Sequence, residues 1–183
     1  IGVLGDIKVS PMITRDDVAM AGGSNLEKLI EKRDENEAGI VMAKGLKLIV
    51  LEMVEKGKLH GLLAIGGGQG SINVAPTLQA LPLGFPKMLV STKVTQAGAA
   101  PFAGNRDVTL MPSVADLAAL NRLTRNILAN AAGAIIGMVE TEVIDFDLKP
   151  LVVMGMNGTV TGGALRVKNA LENEGYEILV FHT

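Results

Sequence analysis

The chain has 183 residues, of which 48% are hydrophobic, 20% are charged and only 3% are aromatic, and its formal net charge is −2. This length fits one large domain, or one domain and part of another. The low charge and the lack of a basic, aromatic-rich cluster argue against nucleic-acid binding. No apolar run approaches the roughly 18 residues of a membrane span, so we expect no membrane insertion.

The absence of cysteine excludes disulfides and thiolate metal sites. It is compatible with the cytoplasm, where we expect the protein to be located. The two histidines, His60 and His182, are too few and too isolated to suggest a metal site, and we predict none. The chain opens at Ile1, without an initiator Met and inside an extended stretch, which we interpret as the start of a fragment or of a processed chain.

Helical signals dominate the first third of the chain. Thr14 with Asp17, and Ser24 with Glu27, resemble capping boxes and predict two short helices. Apolar residues at helical spacing follow in the segment Asn36–Lys56, which predicts an amphipathic helix packed on a sheet.

The rest of the prediction is organised around Gly61–Ser71, with the sequence GLLAIGGGQGS. The apolar run Leu62–Ile65 is typical of a strand buried on both faces of a parallel sheet. Ser71 can cap the helix that follows, which we expect at about 71–81, with Pro76 kinking or shortening it. The turn between strand and helix contains glycines that allow a backbone turn resisted by residues with a Cβ, namely Gly66, Gly67, Gly68 and Gly70.

A strand, a glycine turn and a helix N-terminus together present backbone N–H groups to an anion. We therefore interpret Gly66–Ser71, including Gln69, as a phosphate cradle; the alternative is a tight turn without a ligand. A Walker A loop is excluded because Ser71 follows Gly70 with no lysine. NAD is disfavoured because no acid ends the next predicted strand, where the dinucleotide fingerprint needs one.

The turn Leu83–Pro86 precedes that next predicted strand, Lys87–Val90. Ser91 and Thr92 then lie at the carboxyl end of the strand. In an open α/β sheet, ligands bind in the crevice beyond this end, so both residues are candidate ligand contacts.

A glycine- and alanine-rich loop, Thr95–Gly104, leads to a further predicted strand at Asp107–Met111. Asp107 could hold a magnesium ion or ribose hydroxyls near the strand ends. It could equally be a surface acid that begins the strand.

A long helical pattern runs from Ser113 to Val139, with Ser113 and Asp116 as its capping pair. Its apolar residues are spread around much of the helix, and its second half is rich in small side chains. We therefore expect this helix to lie in a contact with another protein or another domain.

The segment Thr141–Pro150 is polar and acidic, which is typical of a linker. After it come a strand at Leu151–Met156, a loop at Asn157–Gly163, a helix near Ala164–Asn173 and a strand at Tyr176–His182. Together they predict one βαβ unit.

The loop of this unit repeats the order of strand, glycine and hydroxyl residues, and helix. Its candidate ligand residues are Asn157, Gly158, Thr159 and Thr161. Two such turns imply either a ligand cleft between two domains or simply two similar folds, and both interpretations stay open.

Several motifs, in this order and spacing, resemble those of a known family: Gly66–Ser71, Pro82–Lys87, Val90–Thr92, Pro101, Gly104, Asp107, Pro112–Asp116, Leu120–Arg122 and Leu128–Ile135. The chain is similar, over nearly its whole length, to the uncharacterised protein family that includes the ATP-binding N-terminal inhibitory region of the tomato mosaic virus resistance protein. This resemblance implies two Rossmann-like domains in tandem, ATP as a ligand, with or without magnesium, and self-association as a homodimer or higher homo-oligomer.

On this basis we predict an α/β fold, a Rossmann-like parallel sheet with helices on both faces, followed by the start of a second such domain. Residues 1–140 would form the first domain without its first βα unit, residues 141–150 a linker, and residues 151–183 the first βαβ unit of a truncated second domain.

Three functions are compatible with these features. The first is nucleotide binding, with ATP preferred. The second is an enzyme that acts on a small phosphorylated or carboxylated metabolite through the same loops. The third is a self-associating interaction module with purely structural glycine turns. No acid–base pair or hydrolytic triad identifies a reaction, so the catalytic residues are unknown.

Overall fold

The computed structural model describes residues 2–3, 5, 9–117, 120–142 and 148–182. The chain divides into two compact units, Ile1–Thr141 and Glu142–Thr183. The helices of the first unit are α1 (Arg15–Gly22), α2 (Leu26–Lys32), α3 (Glu35–Glu55), α4 (Gly68–Ala80), α5 (Val94–Ala97), α6 (Ala100–Ala103) and α7 (Arg122–Glu140). Its strands are β1 (Leu62–Gly66), β2 (Lys87–Ser91) and β3 (Thr109–Pro112).

The three strands form a parallel sheet with β2 in the centre. Leu62 lies opposite Lys87, and Gly66 lies opposite Ser91, which in turn lies opposite Pro112 of β3. Because the strands end level with one another, their carboxyl ends form one continuous edge, and the segments after β1, β2 and β3 all leave the sheet there.

Helices cover both faces of this sheet. Leu89 of β2 packs with Val74 and Leu78 of α4, whereas Met88 and Val90 pack on the other face with Ala131 of α7. Successive residues of a strand point to opposite faces, and all five residues of β2 are buried. The predicted α/β class, a Rossmann-like parallel sheet between helical layers, is confirmed.

A second cluster of apolar side chains joins α1, α2 and α3. The capping box predicted at Thr14 is present, because Thr14 Oγ1 accepts a hydrogen bond from the Asp17 N–H and the Asp17 carboxylate accepts one from the Thr14 N–H. α3 matches the predicted long helix within one residue at each end. Its main neighbours are α1 and α4, and its Leu46 also packs against the cluster that contains Ala64 of β1 and Leu89 of β2.

Two predicted helix starts are corrected by the structure. The cap of α2 is Asn25, whose side chain accepts the Lys28 N–H at 2.8 Å, in place of Ser24. The long helix begins at Arg122, where Asn121 accepts the N–H groups of the first turn, in place of Ser113.

Smaller differences concern the neighbouring segments. The predicted loop at 95–104 contains the two one-turn helices α5 and α6, and β3 begins two residues later than expected. α4 continues through Pro76 and is longer than predicted. Ile65 of β1 is 52% exposed, so this strand is not buried on both faces.

The second unit is a βαβ unit, as predicted. Its elements are β4 (Leu151–Met156), α8 (Thr161–Asn173) and β5 (Glu177–His182), and its two strands are parallel. α8 begins three residues earlier than expected. Residues 143–147 of the predicted linker lie outside the described residues, as do parts of the extended stretch predicted at the chain start, where Gly2 and Val3 are not in a strand.

Candidate functional site

The candidate site lies at the carboxyl edge of the three-stranded sheet, where α4 begins. The helix starts at Gly68, directly after β1, and Gly67 is its N-cap residue without a side-chain hydrogen bond. The first bond of the helix runs from the Ser71 N–H to the Gly67 carbonyl at 3.0 Å. The N–H groups of Gly68, Gln69 and Gly70 therefore have no acceptor within the helix, and no acidic residue stands in its first turn.

Ser71 does not cap α4, which corrects the prediction. It lies inside the first turn, is fully buried, and its Oγ donates to the Gly67 carbonyl at 2.6 Å. The same Oγ lies 2.6 Å from the Oγ of Ser91, which accepts the N–H of Lys93 at 3.0 Å. Since these bonds use both hydroxyl groups and bury them, Ser71 and Ser91 hold the turn after β1 and the segment after β2 together.

Close packing at Gly66, and not a left-handed backbone, explains why the turn contains glycine. None of Gly66, Gly67, Gly68 and Gly70 has a positive φ. A Cβ on Gly66 would lie 3.1 Å from the Ser71 nitrogen, so close packing explains that glycine. A Cβ on Gly70 would meet nothing within 4 Å. The fold does not require glycine there, and its absent side chain leaves the adjoining N–H groups accessible.

Thr92 and Lys93 form the second side of the site, after β2. The Thr92 N–H donates to the Gly66 carbonyl at 3.3 Å, and the Thr92 hydroxyl would lie 3.8 Å from a Cβ on Gly67. The aliphatic chain of Lys93 lies beside Gly68, where a Cβ would be 3.5 Å from its Cε. Lys93 Nζ donates to the Gln96 side chain at 3.0 Å. A cation therefore stands next to the first turn of α4.

Our sequence analysis did not identify Lys93 as a site residue. The signal for it was its place directly after Ser91 and Thr92, at the carboxyl end of a strand. A lysine that follows such a strand reaches the same edge as the glycine turn.

Asp107 lies away from this site. It precedes β3, at the amino edge of the sheet, and a strand the length of β2 spans about 13 Å. There its carboxylate accepts hydrogen bonds from Lys87 Nζ at 2.6 Å and from the Gly84 N–H at 2.8 Å. The structure therefore places Asp107 just before β3, as the alternative of a surface acid that begins the strand predicted, and not beside the glycine turn, where it could have held a magnesium ion or ribose hydroxyls.

The second unit has a similar helix start at the carboxyl end of β4. Thr159 Oγ1 donates to Asn157 Oδ1 at 2.8 Å, and Thr161 Oγ1 donates to the Asn157 carbonyl at 2.9 Å, with Gly158 between them in the turn. The first bond of α8 comes from Ala164, so three N–H groups precede it without a helical acceptor. The shared cleft predicted between the two units stays a prediction.

The described helices of seven or more residues fall into two groups. Side chains cap α1, α2, α3 and α7 through Thr14, Asn25, Asp34 and Asn121. α4 and α8, which come within a few residues of a strand, have no side-chain cap. Their first turns are the ones available to an external hydrogen-bond acceptor.

The part of the chain that the structure describes has neither a metal-binding cluster nor a helix that could span a membrane. It contains no group of three or more His, Asp or Glu side chains placed to hold a metal ion. None of its helices combines the length and apolar character that a membrane span requires.

Residues 1–143 match the N-terminal domain of the uncharacterised protein family UPF0261. A UPF0261 protein of Clostridium tetani is 39% identical over all 183 residues, which cover 45% of its own length. One from Brucella suis is 30% identical over the same residues and 44% of its length. The ToMV resistance protein Tm-1(GCR237) of Solanum lycopersicum is 33% identical over 148 residues, 78% of this chain and 20% of that protein. The chain thus spans less than half the length of these bacterial relatives, and it belongs to the UPF0261 family.

Proposed function

We propose that the first unit binds a nucleotide, with ATP preferred, and that the nucleotide phosphates lie at the N-terminus of α4. The observation behind this proposal is the uncapped first turn of α4, which directs three free N–H groups to the carboxyl edge of a parallel sheet. The partial positive charge of a helix N-terminus favours a bound phosphate at this position.

Lys93 supports the same assignment, because its ammonium group adds a full positive charge beside Gly68. The Thr92 hydroxyl can donate a further hydrogen bond. The direct contacts in this proposal are therefore the N–H groups of Gly68, Gln69 and Gly70 with Thr92 and Lys93, while Ser71 and Ser91 position the loops. ATP is preferred over other phosphates because of the family resemblance described above, which also implies self-association.

Replacement of Gly70 by Val tests the proposal. Gly70 has an ordinary helical backbone and open space around it, so the variant should fold with a free energy of unfolding within about 0.5 kcal/mol of the wild type. The branched side chain would cover the neighbouring N–H groups, and we expect ATP affinity to fall at least about tenfold, which corresponds to the loss of one charge-assisted hydrogen bond. Isothermal titration calorimetry with ATP measures this effect.

Gly133→Val is the matched control, because Gly133 is also a helical glycine with nothing within 4 Å of its Cβ position, on α7. It should bind ATP like the wild type. A folded Gly70→Val variant with unchanged ATP affinity would contradict the proposal. Titration with ADP, NAD and simple sugar phosphates distinguishes a nucleotide site from a site for a small phosphorylated metabolite, since the metabolite alternative predicts tighter binding of a sugar phosphate than of ATP.

A further inference from the structure

A trough runs along the first unit between α2, α3 and the start of α4. It has two adjoining parts, of about 290 Å³ and about 370 Å³, which share Val3, Glu35 and Ala38 as walls. The first part is also lined by Gln69 and Asn73 of α4, and the second by Leu29, Ile30, Arg33 and Asp34. The larger part by itself reaches the size of a small-molecule binding cleft.

The trough begins where the proposed phosphate site ends. Gln69 belongs to both, because its N–H group is one of the three free donors of α4 and its side chain lines the trough. Gly39 of α3 makes this arrangement possible. A Cβ on Gly39 would lie 3.0 Å from Asn73 Oδ1 and 3.3 Å from Gln69 Nε2, so a larger residue would push the two amides away from α3.

The polar groups along the trough have unused hydrogen-bonding capacity. Gln69 Nε2 donates to Asn73 Oδ1 at 3.0 Å, which leaves the Gln69 carbonyl oxygen and the Asn73 amino group available. The carboxylate of Glu35 makes no hydrogen bond or ion pair with any residue that the structure describes. Val3, Leu29 and Ala38 supply apolar walls.

These features fit the organic half of a nucleotide. A carboxylate accepts hydrogen bonds from the paired hydroxyls of a ribose, as acids do in other nucleotide-binding α/β folds. Side-chain amides can match the mixed donors and acceptors of a base edge, and aliphatic walls can contact its faces. Inorganic triphosphate, which has no sugar, offers no pair of hydroxyls from which Glu35 could accept hydrogen bonds.

We propose that this trough is a nucleoside-binding site, in which Glu35 accepts the ribose hydroxyls and the base lies between α2 and α3. The inference rests on the proposed phosphate site at α4 and names the ligand of that site as a ribonucleotide. It makes Glu35 the residue that distinguishes a nucleotide from inorganic phosphates.

The test compares three probes, ATP, 2′-deoxy-ATP and inorganic triphosphate, by calorimetry. Glu35→Gln should weaken ATP binding about tenfold, since it removes a charge-assisted hydrogen bond, while leaving triphosphate affinity unchanged or slightly higher. The wild type should prefer ATP to 2′-deoxy-ATP, and the variant should lose this preference. Glu35 is exposed in the first turn of α3, so the variant should fold.

Glu37→Gln is the matched control, because Glu37 belongs to the same turn but pairs with Lys32 away from the trough. It should bind all three probes like the wild type. If Glu35→Gln binds ATP as the wild type does, the nucleoside site is wrong and the phosphate site still stands. If the wild type binds neither ATP nor triphosphate, both proposals fail. Gly70→Val should weaken the binding of all three probes, triphosphate included, whereas Glu35→Gln should not weaken triphosphate binding, and this difference separates the two sites.

Discussion

Gly45→Ala should lower the free energy of unfolding by about 3 kcal/mol, the upper range for overpacking a protein interior. Gly45 lies on α3 where α1 crosses it, and a Cβ there would lie 1.8 Å from the Val18 carbonyl oxygen. The atom in the way belongs to the backbone, so no side-chain rotation can relieve the contact. The two helices must move apart.

A glycine on the other helix also shows how closely α1 and α3 approach each other. A Cβ on Gly22 of α1 would lie 2.2 Å from the Val41 carbonyl oxygen of α3. Separation of the helices would also loosen the cluster around Ala19 and Met42, both of which are fully buried. The cost of the substitution therefore includes lost packing as well as the steric contact.

Urea denaturation followed by circular dichroism measures the change. Gly133→Ala serves as the control, because it makes the same substitution in a helix with open space around it. This control should gain about 0.5–1 kcal/mol, the usual benefit of alanine over glycine inside a helix. A Gly45→Ala protein as stable as the wild type would show that α1 and α3 do not approach this closely.

The elements with strong local signals could be predicted from the sequence. Thr14 and Asp17 stand at capping-box spacing, and their contact depends only on residues three apart. The apolar runs of β1 and β2 and the glycine turn likewise indicated a parallel sheet and a helix start. Hydrophobic periodicity also located α3, but it reports that one face is covered and cannot identify whether helices or strands cover it.

The start of α7 could not be predicted from the apolar spacing. Leu117 and Leu120 continue the pattern of the helix, yet they precede it. The backbone at Ser113 instead extends the sheet edge, where its N–H donates to the Ser91 carbonyl at 3.1 Å. That bond joins residues 22 positions apart, so no local pattern could reveal it. Asn121 with Thr124 was the better signal for the cap.

In the candidate site, too, the features that depend on neighbouring residues could be predicted, and those that depend on residues far apart in the chain could not. The glycine turn before α4 was visible in the sequence, whereas the roles of Ser71 and Ser91 depend on a contact across 20 residues. For Asp107 the sequence left two roles open, a ligand contact or a surface acid at the start of the strand. Its contact with Lys87, which lies 20 positions earlier in the chain, favours the second.

Asp107→Asn should lower the free energy of unfolding by about 1–2 kcal/mol, less than for a fully buried ion pair, because the Asp107 side chain is 45% exposed. The Lys87 side chain has 0% exposure, and its Nζ donates to Asp107 and to the carbonyls of Pro82 and Phe85. Asparagine retains an acceptor for the Gly84 N–H but leaves the buried ammonium without a counter-charge. Urea denaturation at pH 7 measures the loss.

The double variant Lys87→Met/Asp107→Asn separates the contribution of the buried charge to stability from the contribution of side-chain packing. Methionine fills much of the same space without a charge, so no buried ammonium is left uncompensated. We expect the double variant to recover part of the stability lost in Asp107→Asn, since apolar replacements of buried ion pairs are often tolerated. If Lys87→Met costs as much stability in the Asp107→Asn protein as it does in the wild type, the two side chains act independently.

The stabilising effect of Asp107 should also depend on pH. Partial burial acts to raise the pKa of Asp107, but the hydrogen bonds from Lys87 and from the Gly84 N–H outweigh it and hold this pKa below its usual value of 3.8. The unfolded chain therefore binds the proton more readily than the folded one, and the stability that Asp107 contributes is fully present above the unfolded pKa. It is lost as the pH falls below 3.8 and through the folded pKa.

The difference in unfolding free energy between the wild type and Asp107→Asn should accordingly be constant from pH 5 to 8 and shrink below about pH 4. Other acids titrate equally in both proteins and cancel in this difference. If this difference in unfolding free energy stays constant or grows in acid, the Asp107 carboxylate is not the group that stabilises the Lys87 ammonium.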